Sequence, residues 1–289
     1  MKLFSIPTGN LKLDGGTMFG VVPKSLWSKV YPADENNLCN WSMRCLLLVD
    51  GKKVILVDDG IGDKQDWDFL KYYYLNGEDT LEGSLKNLGF RKEDITDVIL
   101  THLHFDHCGG SIEWNKDRTA YELTFPNATY WTSRLQYNEA THPNKRENAS
   151  YLKENILPIE ESGHLKLIEK EGEIMPGIHV KLFSGHTDGQ VIPHIQYKGR
   201  TVVFVADLFP STAHIPLPWI MAYDNHPNET LKDKERFFKD ALEHDYILFL
   251  EHDLYHECCS LVMTEKGVRM EETFKLEDIK EFLSKRKSF

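Results

Sequence analysis

The stretch that decides the fold is Thr101-His102-Leu103-His104-Phe105-Asp106-His107-Cys108-Gly109-Gly110, which begins where an apolar run predicts a buried strand to end. His102 and His104 alternate, so on an extended backbone they point the same way and can hold one ion. Asp106 and His107 belong to the following turn and can face a second ion. Imidazole and carboxylate ligands favour zinc, with manganese, iron or cobalt as alternatives.

Three further candidate ligands, His186, Asp207 and His252, follow later in the chain. Each comes just after a predicted strand; these strands are Ile178–Phe183, Thr201–Ala206 and Tyr246–Leu250. Strand ends that converge on one edge of a sheet are common places for binding sites. We therefore expect the three side chains to join the histidine cluster in a single metal centre.

The hydrophobic pattern predicts strands and helices in each half of the chain. Asp50–Lys53 is a hairpin signal between two apolar runs, and a polar, mostly helical stretch at Thr132–Gly163 precedes the later strands. Predicted helices cover Asp66–Asn76, Thr80–Gly89, Asn228–Asp245 and Leu276–Lys287. This order indicates an α/β (α+β) fold, a four-layer αββα sandwich. Without repeats or linkers, we expect one domain over residues 1–289.

Composition excludes several classes of function. The 289 residues carry 34 basic and 45 acidic side chains, a net charge of −11, which argues against nucleic acid and anionic membranes as partners. No apolar run approaches the roughly 18 residues of a membrane span, and the N-terminus lacks signal-peptide features. The five cysteines form no CxxC motif, so we expect buried thiols and no disulfide framework. A cytoplasmic location is the default expectation.

The pattern His102-x-His104-x-Asp106-His107, followed by His186, Asp207 and His252, resembles the metallo-β-lactamase-fold hydrolases. Within that superfamily it is most similar to the N-acyl homoserine lactonase and methyl parathion hydrolase branch, and the segment Gly15–Lys24 also resembles that branch. The resemblance implies two divalent ions per chain. His102, His104 and His186 would bind the first ion, Asp106, His107 and His252 the second, and Asp207 would bridge both.

The resemblance also implies a mechanism. Two ions lower the pKa of a bridging water, and the hydroxide so formed attacks a lactone or ester carbonyl. Asp106 would pass a proton to the leaving oxygen, and Asp58 would orient the metal loop from behind. Related lactonases carry a tyrosine over the substrate carbonyl, but here that position is Pro210. His214 and Tyr223 are the candidate substitutes.

A set of apolar and aromatic residues is expected to line the substrate pocket. Its members are Met18, Phe19, Trp27, Phe209, Leu217, Pro218 and Trp219. Such a lining favours a small-molecule substrate with an apolar part. We also expect a homodimer, with the region His142–Gly163 as a candidate interface.

Three alternatives remain open. The same metal site suits an organophosphate triesterase. A thioesterase similar to glyoxalase II would need basic residues near the chain end, for which Lys280, Lys285, Arg286 and Lys287 are available. A non-catalytic ligand sensor that has kept its metals is the alternative outside the enzymes. Metal content and a thioester screen run beside a lactone screen would separate these cases.

Overall fold

The computed structural model describes residues 1–286 as alternating groups of strands and helices. The first elements are β1 (Lys2–Asp14), α1 (Gly15–Phe19), α2 (Lys24–Trp27), β2 (Leu38–Asp50), β3 (Lys53–Val57), α3 (Trp67–Leu70), α4 (Leu81–Asn87), β4 (Asp97–Ile99), α5 (Phe105–Cys108), β5 (Ile112–Trp114), β6 (Tyr121–Leu123), β7 (Thr129–Ser133), α6 (Arg134–Thr141), α7 (Lys153–Glu161) and β8 (Leu165–Ile168). The later elements are β9 (Gly172–Met175), β10 (Ile178–Phe183), β11 (Gln190–Tyr197), β12 (Arg200–Phe204), α8 (Pro227–Glu243), β13 (Ile247–Phe249), β14 (Cys258–Thr264), β15 (Gly267–Phe274) and α9 (Ile279–Arg286).

Two mixed sheets form the centre of the molecule. The first has the strand order β1-β2-β3-β4-β7-β8, and the second has the order β15-β14-β13-β12-β11-β10-β9. In the first sheet β1, β2 and β3 are antiparallel, whereas β3, β4, β7 and β8 run parallel. In the second sheet all neighbours are antiparallel except β12 and β13. β5 and β6 form a separate hairpin.

Alternating side chains of β2 show why the fold has four layers. Leu46 and Leu48 belong to the large core that includes the second sheet and residues of α8 and α9. Cys45 and Leu47 point the other way, into a second core with Ile156 and other residues of α6 and α7. Because successive side chains of a strand face opposite sides, the first sheet is buried on both faces. The predicted αββα sandwich is confirmed.

Two local predictions near the N-terminus have different outcomes. The hairpin at Asp50–Lys53 is confirmed, and Thr80 caps α4 by accepting a hydrogen bond from the Gly83 amide. The helix predicted at Asp66–Asn76 is wrong beyond Leu70, since α3 has only four residues. The Tyr73 carbonyl instead accepts a bond from the Lys12 amide, and Asn10 pairs with Asn76, which ties this segment to β1.

The other predicted helices are largely present. The stretch Thr132–Gly163 contains α6 and α7, and Pro158 lies inside α7. The Asn228–Asp245 prediction corresponds to α8 and the C-terminal one to α9, although Lys287 lies outside the described residues. Within residues 1–286, no helix combines the length and the apolar character needed to cross a membrane. All five cysteines are buried free thiols.

The sheets bring four chain segments to one edge of the sandwich. Strands β4, β10, β12 and β13 each end shortly before a predicted metal ligand. The Val191 amide at the start of β11 donates to the Thr101 carbonyl over 2.7 Å, which joins the two sheets beside the histidine cluster. The ligand-bearing loops therefore rest on rigid strands of both sheets.

Candidate metal centre

The first group of ligand atoms comes from His102, His104, His186 and Asp207, all buried. The distance between His102 Nε2 and His104 Nδ1 is 3.0 Å, and that between His186 Nε2 and His104 Nδ1 is 3.3 Å. Asp207 Oδ2 lies 3.1 Å from His186 Nε2 and 3.8 Å from His102 Nε2. Three imidazole nitrogens and one carboxylate oxygen therefore converge on one point.

The second group comes from Asp106, His107 and His252, also buried. His107 Nε2 and His252 Nε2 are 3.1 Å apart. Asp106 Oδ2 lies 3.9 Å from His107 Nε2 and 3.8 Å from His252 Nε2. Asp207 reaches this group through both oxygens, since Oδ1 is 3.1 Å from His252 Nε2 and Oδ2 is 3.7 Å from His107 Nε2. The position of Asp207 between the two groups is that of a bridging ligand.

The backbone of the histidine loop packs closely against the turn that follows β3. A Cβ added to Gly109 would lie 2.1 Å from the Ile61 carbonyl oxygen, and one added to Gly110 would lie 2.2 Å from that of Asp59. Only glycine permits this approach. The contact fixes α5, which carries Asp106 and His107 on a single helical turn.

The outer ring nitrogens of the second group have acceptors behind the site. His107 Nδ1 lies 3.0 Å from Asp58 Oδ2 and 3.1 Å from Glu251 Oε2. His252 Nδ1 donates to the Ser42 carbonyl over 2.8 Å. An Nδ1–H bonded outward leaves the Nε2 lone pair directed inward, which is the tautomer that a metal ligand needs. The structure thus places Asp58 behind the loop, as the sequence predicts.

The first group is supported in the same way. His186 Nδ1 lies 3.0 Å from Asp224 Oδ1, and His102 Nδ1 lies 3.1 Å from Thr101 Oγ1. His104 is reversed: its Nδ1 faces the site and its Nε2 lies 3.5 Å from Glu147 Oε1. When the rings are neutral, these contacts therefore direct a lone pair inward from each ring, and each outward nitrogen has an oxygen neighbour.

The local electrostatics favour positive charge at the centre. Burial alone would lower the pKa of His186 and His252, but Asp207 and neighbouring carboxylates outweigh it and raise these pKa values to about 10 and about 9. Burial would raise the pKa of Asp207, yet the surrounding imidazoles hold it well below its usual range. For His102 burial dominates and its pKa is lowered. A carboxylate that stays ionised in this pocket attracts cations.

The donor set fits metal ions. Asp207 Oδ1 is buried and accepts no hydrogen bond, although His252 Nε2 is close to it. Lone pairs about 3 Å apart, such as those of His102 and His104, repel each other unless a proton or a cation lies between them. Nitrogen and oxygen ligands in two adjacent groups suit two divalent ions.

A cleft opens above these ligands. Its wall is formed by Leu13, Met18, Tyr73, His104, Phe105, Asp106, Arg146, Glu147, Ser150, His186, Asp207, Met221, Tyr223 and His252. Met18 and Tyr223 were predicted from the sequence. The Tyr223 hydroxyl lies 2.9 Å from Thr17 Oγ1, whose own proton has the Asp14 carbonyl as acceptor at 2.8 Å. Burial raises the pKa of Tyr223, so its hydroxyl stays protonated.

Several predicted pocket residues lie elsewhere, which corrects that expectation. Phe19 stacks between Trp27 and His214 at centroid distances of 5.1 and 4.7 Å, so these rings pack against one another behind the cleft. Phe209 is buried in the main core, 5.1 Å from the ring of Phe237. Also absent from the cleft wall are Leu217, Pro218 and Trp219.

His214 cannot replace the missing tyrosine. Its Nε2 donates to the Met18 carbonyl and its Nδ1 accepts from Ser211 Oγ, each over 2.8 Å. Burial lowers its pKa to about 4, so the ring is neutral with both nitrogens occupied.

Other residues at the site were not predicted. Asp224, Glu147 and Arg146 come from loops without a motif, so the sequence carries no local signal for them. Glu251 directly precedes His252, and that adjacency could have indicated it.

Two of the basic residues near the chain end, Lys280 and Lys285, do not line the cleft, and the Arg286 side chain lies outside what the structure describes. Lys280 and Lys285 belong to α9 and are absent from the cleft wall, and Lys285 pairs with Glu281 at 3.0 Å. Lys287 lies outside the described residues. The described residues therefore give no support to the binding of substrate by basic side chains that the thioesterase alternative requires.

Comparisons with known proteins agree with this geometry. The sequence profile of the metallo-beta-lactamase superfamily matches residues 44–252. An N-acyl homoserine lactonase from Bacillus thuringiensis is 31% identical over 200 residues, 65% of this chain and 67% of the relative. A probable metal-dependent hydrolase from Staphylococcus aureus shares 31% identity and a TM-score of 0.86, covering 95% and 96% of the two chains. A quorum-quenching N-acyl homoserine lactone lactonase gives 25% identity and a TM-score of 0.66, covering 88% and 92%.

The sandwich, with its histidine and aspartate ligands at one edge, defines a metallohydrolase. The chain belongs to the metallo-beta-lactamase superfamily. Its relatives in these comparisons are lactonases and other metal-dependent hydrolases, so the predicted class of enzyme is confirmed. Members of this family typically bind two metal ions.

Proposed function

We propose that this protein is a hydrolase of lactones or carboxylic esters, similar to the N-acyl homoserine lactonases, that works with two zinc ions. The observation that carries the proposal is the position of Asp207, whose carboxylate lies between two groups of ligand atoms beneath an open cleft, with Oδ2 3.1 Å from His186 Nε2 and Oδ1 3.1 Å from His252 Nε2. Imidazole-rich sites with carboxylates suit zinc best. The similarity to lactonases supports the choice of substrate.

The ions would be held by the seven residues already described, with His102, His104 and His186 on one side, Asp106, His107 and His252 on the other, and Asp207 between them. When bound, such a pair supplies a water of near-neutral pKa and a Lewis acid for the carbonyl oxygen. Hydrolysis adds the water oxygen to the carbonyl carbon and breaks the acyl carbon–oxygen bond. A hydroxy acid is the product from a lactone.

Asp106 is the residue best placed to move the proton. It lies on the cleft wall, with Oδ2 3.9 Å from His107 Nε2 and 3.8 Å from His252 Nε2. We propose that it receives the proton of the attacking water and returns it to the leaving oxygen.

Tyr223 is the proposed hydrogen-bond donor to the substrate carbonyl. Its hydroxyl lies on the cleft wall 2.9 Å from Thr17 Oγ1, and its proton can turn from Thr17 to an acceptor in the cleft when substrate binds. The Tyr223→Phe variant should lower kcat about 10-fold or more while metal content stays at the wild-type value. An unchanged kcat would remove Tyr223 from the mechanism.

The first test is metal analysis of protein purified without added metal, combined with hydrolysis of acyl lactones before and after chelation. We expect about two zinc ions per chain and lactone opening that chelation abolishes and zinc restores. The Asp207→Asn variant should lose both ions and the activity together. One ion or none would contradict the two-ion site. Two ions without lactone turnover would redirect the search to thioesters and phosphotriesters.

A cytoplasmic location, a single domain over residues 1–289 and a homodimer complete the proposal. Gel filtration tests the last of these, and elution as one species of 33.5 kDa would exclude the dimer.

A further inference from the structure

The wall of the catalytic cleft carries one basic side chain, Arg146, among the lysines and arginines that the structure describes. The other polar groups on the wall besides the ligands are Tyr73, Glu147, Ser150 and Tyr223. The apolar part of the wall is formed by Leu13, Met18, Phe105 and Met221. A guanidinium in such a cleft lies within reach of any substrate bound above the metal ligands.

A local turn fixes the backbone of Arg146. Asn144 Oδ1 accepts hydrogen bonds from the amides of Arg146 and Glu147, at 2.8 and 3.1 Å. An asparagine that bonds to the backbone two residues ahead is a stable turn. Since Glu147 also contacts the ligand His104, the turn sets the position of Arg146 relative to the metal centre.

The end of the side chain is held as well. Arg146 Nη2 donates to the Ala222 carbonyl, and the Ala222 amide donates to the Thr17 carbonyl over 2.8 Å. The neighbouring Tyr223 is bonded to Thr17 Oγ1. Arg146 therefore spans from its own loop to the segment that carries Tyr223, and little further ordering is needed when a ligand binds.

The charge of Arg146 is not neutralised by the protein. Over residues 1–286, no carboxylate oxygen forms an ion pair with it. The adjacent Glu147 is engaged elsewhere: Asn144 Nδ2 donates to it over 2.8 Å, Tyr151 donates over 3.4 Å, and His104 Nε2 is 3.5 Å away. One bond to a carbonyl uses one of the five guanidinium donors, so others remain for a ligand.

We propose that Arg146 binds a carboxylate on the substrate, so that the preferred substrates are lactones or esters with a carboxylate at the end remote from the scissile bond. This inference rests on the proposed hydrolase function and adds the chemical class of its substrate. Arginine pairs with carboxylates through parallel hydrogen bonds of defined geometry. The apolar residues of the cleft would hold the hydrocarbon part between the two polar ends. In a protein of net charge −11, this local cation also offsets the general repulsion of anions.

The test compares two substrates of equal chain length. N-hexanoyl homoserine lactone is neutral, whereas N-adipoyl homoserine lactone ends in a carboxylate. The measured quantity is the ratio of kcat/KM for the adipoyl substrate to that for the hexanoyl substrate. Wild type should favour the adipoyl substrate. Arg146→Met should lower the ratio about 10- to 100-fold, mainly through KM, and Arg146→Lys should restore part of it.

The control is Lys145→Met, which removes the neighbouring exposed cation that does not line the cleft and should leave the ratio unchanged. If Arg146→Met lowers turnover of both substrates by the same factor, Arg146 only positions the loop at Ala222 and the inference is overturned. If wild type opens the hexanoyl lactone and does not favour the adipoyl one, the inference fails while the proposed function stands. If wild type opens neither lactone, the proposed function fails and the inference with it.

Discussion

The carboxylates behind the ligand histidines allow the two proposed ion sites to be weakened one at a time. Asp58 accepts three hydrogen bonds, from the Thr101 amide at 2.7 Å, from Thr101 Oγ1 at 2.6 Å and from His107 Nδ1 at 3.0 Å. In Asp58→Asn, one acceptor oxygen becomes an NH2 group that faces a donor, so at least one bond is lost. Asparagine tolerates the left-handed backbone of this residue (φ 54°), which leaves the chain conformation intact.

The size of the effect follows from the partners that remain. Losing the outer carboxylate of a metal-ligating histidine lowers metal affinity about 10- to 100-fold. Glu251 also lies 3.1 Å from His107 Nδ1 and can replace Asp58 in part. We therefore expect a loss of about 10-fold for the ion that the Asp106–His107–His252 group would bind, and a smaller loss for the other ion, because Thr101 Oγ1 links Asp58 to His102 Nδ1. Asp224 is the only carboxylate within 4 Å of His186 Nδ1 in residues 1–286, so Asp224→Asn should weaken the other ion more, by about 100-fold.

The assay dialyses zinc-loaded protein against increasing chelator and counts the ions that remain by mass spectrometry. Each single variant should lose one ion at a lower chelator concentration than wild type and keep the second. The double variant should lose both early, because each substitution acts on a different ion. A double variant that still retains one tightly bound ion, or a single variant that releases both together, would refute the assignment of Asp58 and Asp224 to separate sites.

Three further predictions concern stability. Burial lowers the pKa of His194 to about 4, so as the pH falls from about 6.5 to 4 the unfolded state takes up a proton that the folded state does not. This proton uptake destabilises the folded wild type in acid. His194→Gln should remove up to about 3 kcal/mol of that loss in the free energy of unfolding, measured by urea titrations at pH 7 and pH 4.5. Gly185→Ala would place a Cβ 2.4 Å from Thr230 Cα; we expect about 1–3 kcal/mol of lost stability, seen as a Tm several degrees lower. Lys234 is buried and donates to three carbonyls, so Lys234→Met should lower the free energy of unfolding by about 3 kcal/mol or more. A loss below about 1 kcal/mol would show that other donors replace its ammonium group.

The meeting of the candidate metal ligands at one edge could be predicted because the physics that places them is local. His102, His186, Asp207 and His252 each follow a strand whose apolar sequence is plain, and strand ends in two packed sheets meet at one edge. The αββα layers of the fold were predictable for the same reason, because they also follow from local sequence patterns. The helix at Asp66–Asn76 failed because its backbone bonds to β1, a long-range pairing that local sequence does not encode.

The aromatic residues near the site show the opposite case. Phe19, Trp27 and His214 were expected on the pocket wall, and they are indeed close to Met18, which does line it. Composition cannot distinguish an aromatic ring that faces a cleft from one that stacks behind it, because burial of apolar surface is favourable at both positions. The distinction depends on the stacked arrangement of the three rings, which only the folded structure reveals.

Substrate preference is the property that the ligand motif determines least. The cleft wall is assembled from segments far apart in the chain. Arg146 donates to the Ala222 carbonyl, and the Ala222 amide donates to the Thr17 carbonyl. These two hydrogen bonds position the neighbouring Tyr223 on the cleft wall. None of these residues belongs to the motif. Because the ion-binding groups stay the same whatever the loops do, one metal centre can serve lactones, thioesters or phosphotriesters within this fold. We therefore expect substitutions at Arg146 and Tyr223 to change which substrate is preferred, and substitutions at the candidate ligands to remove activity altogether.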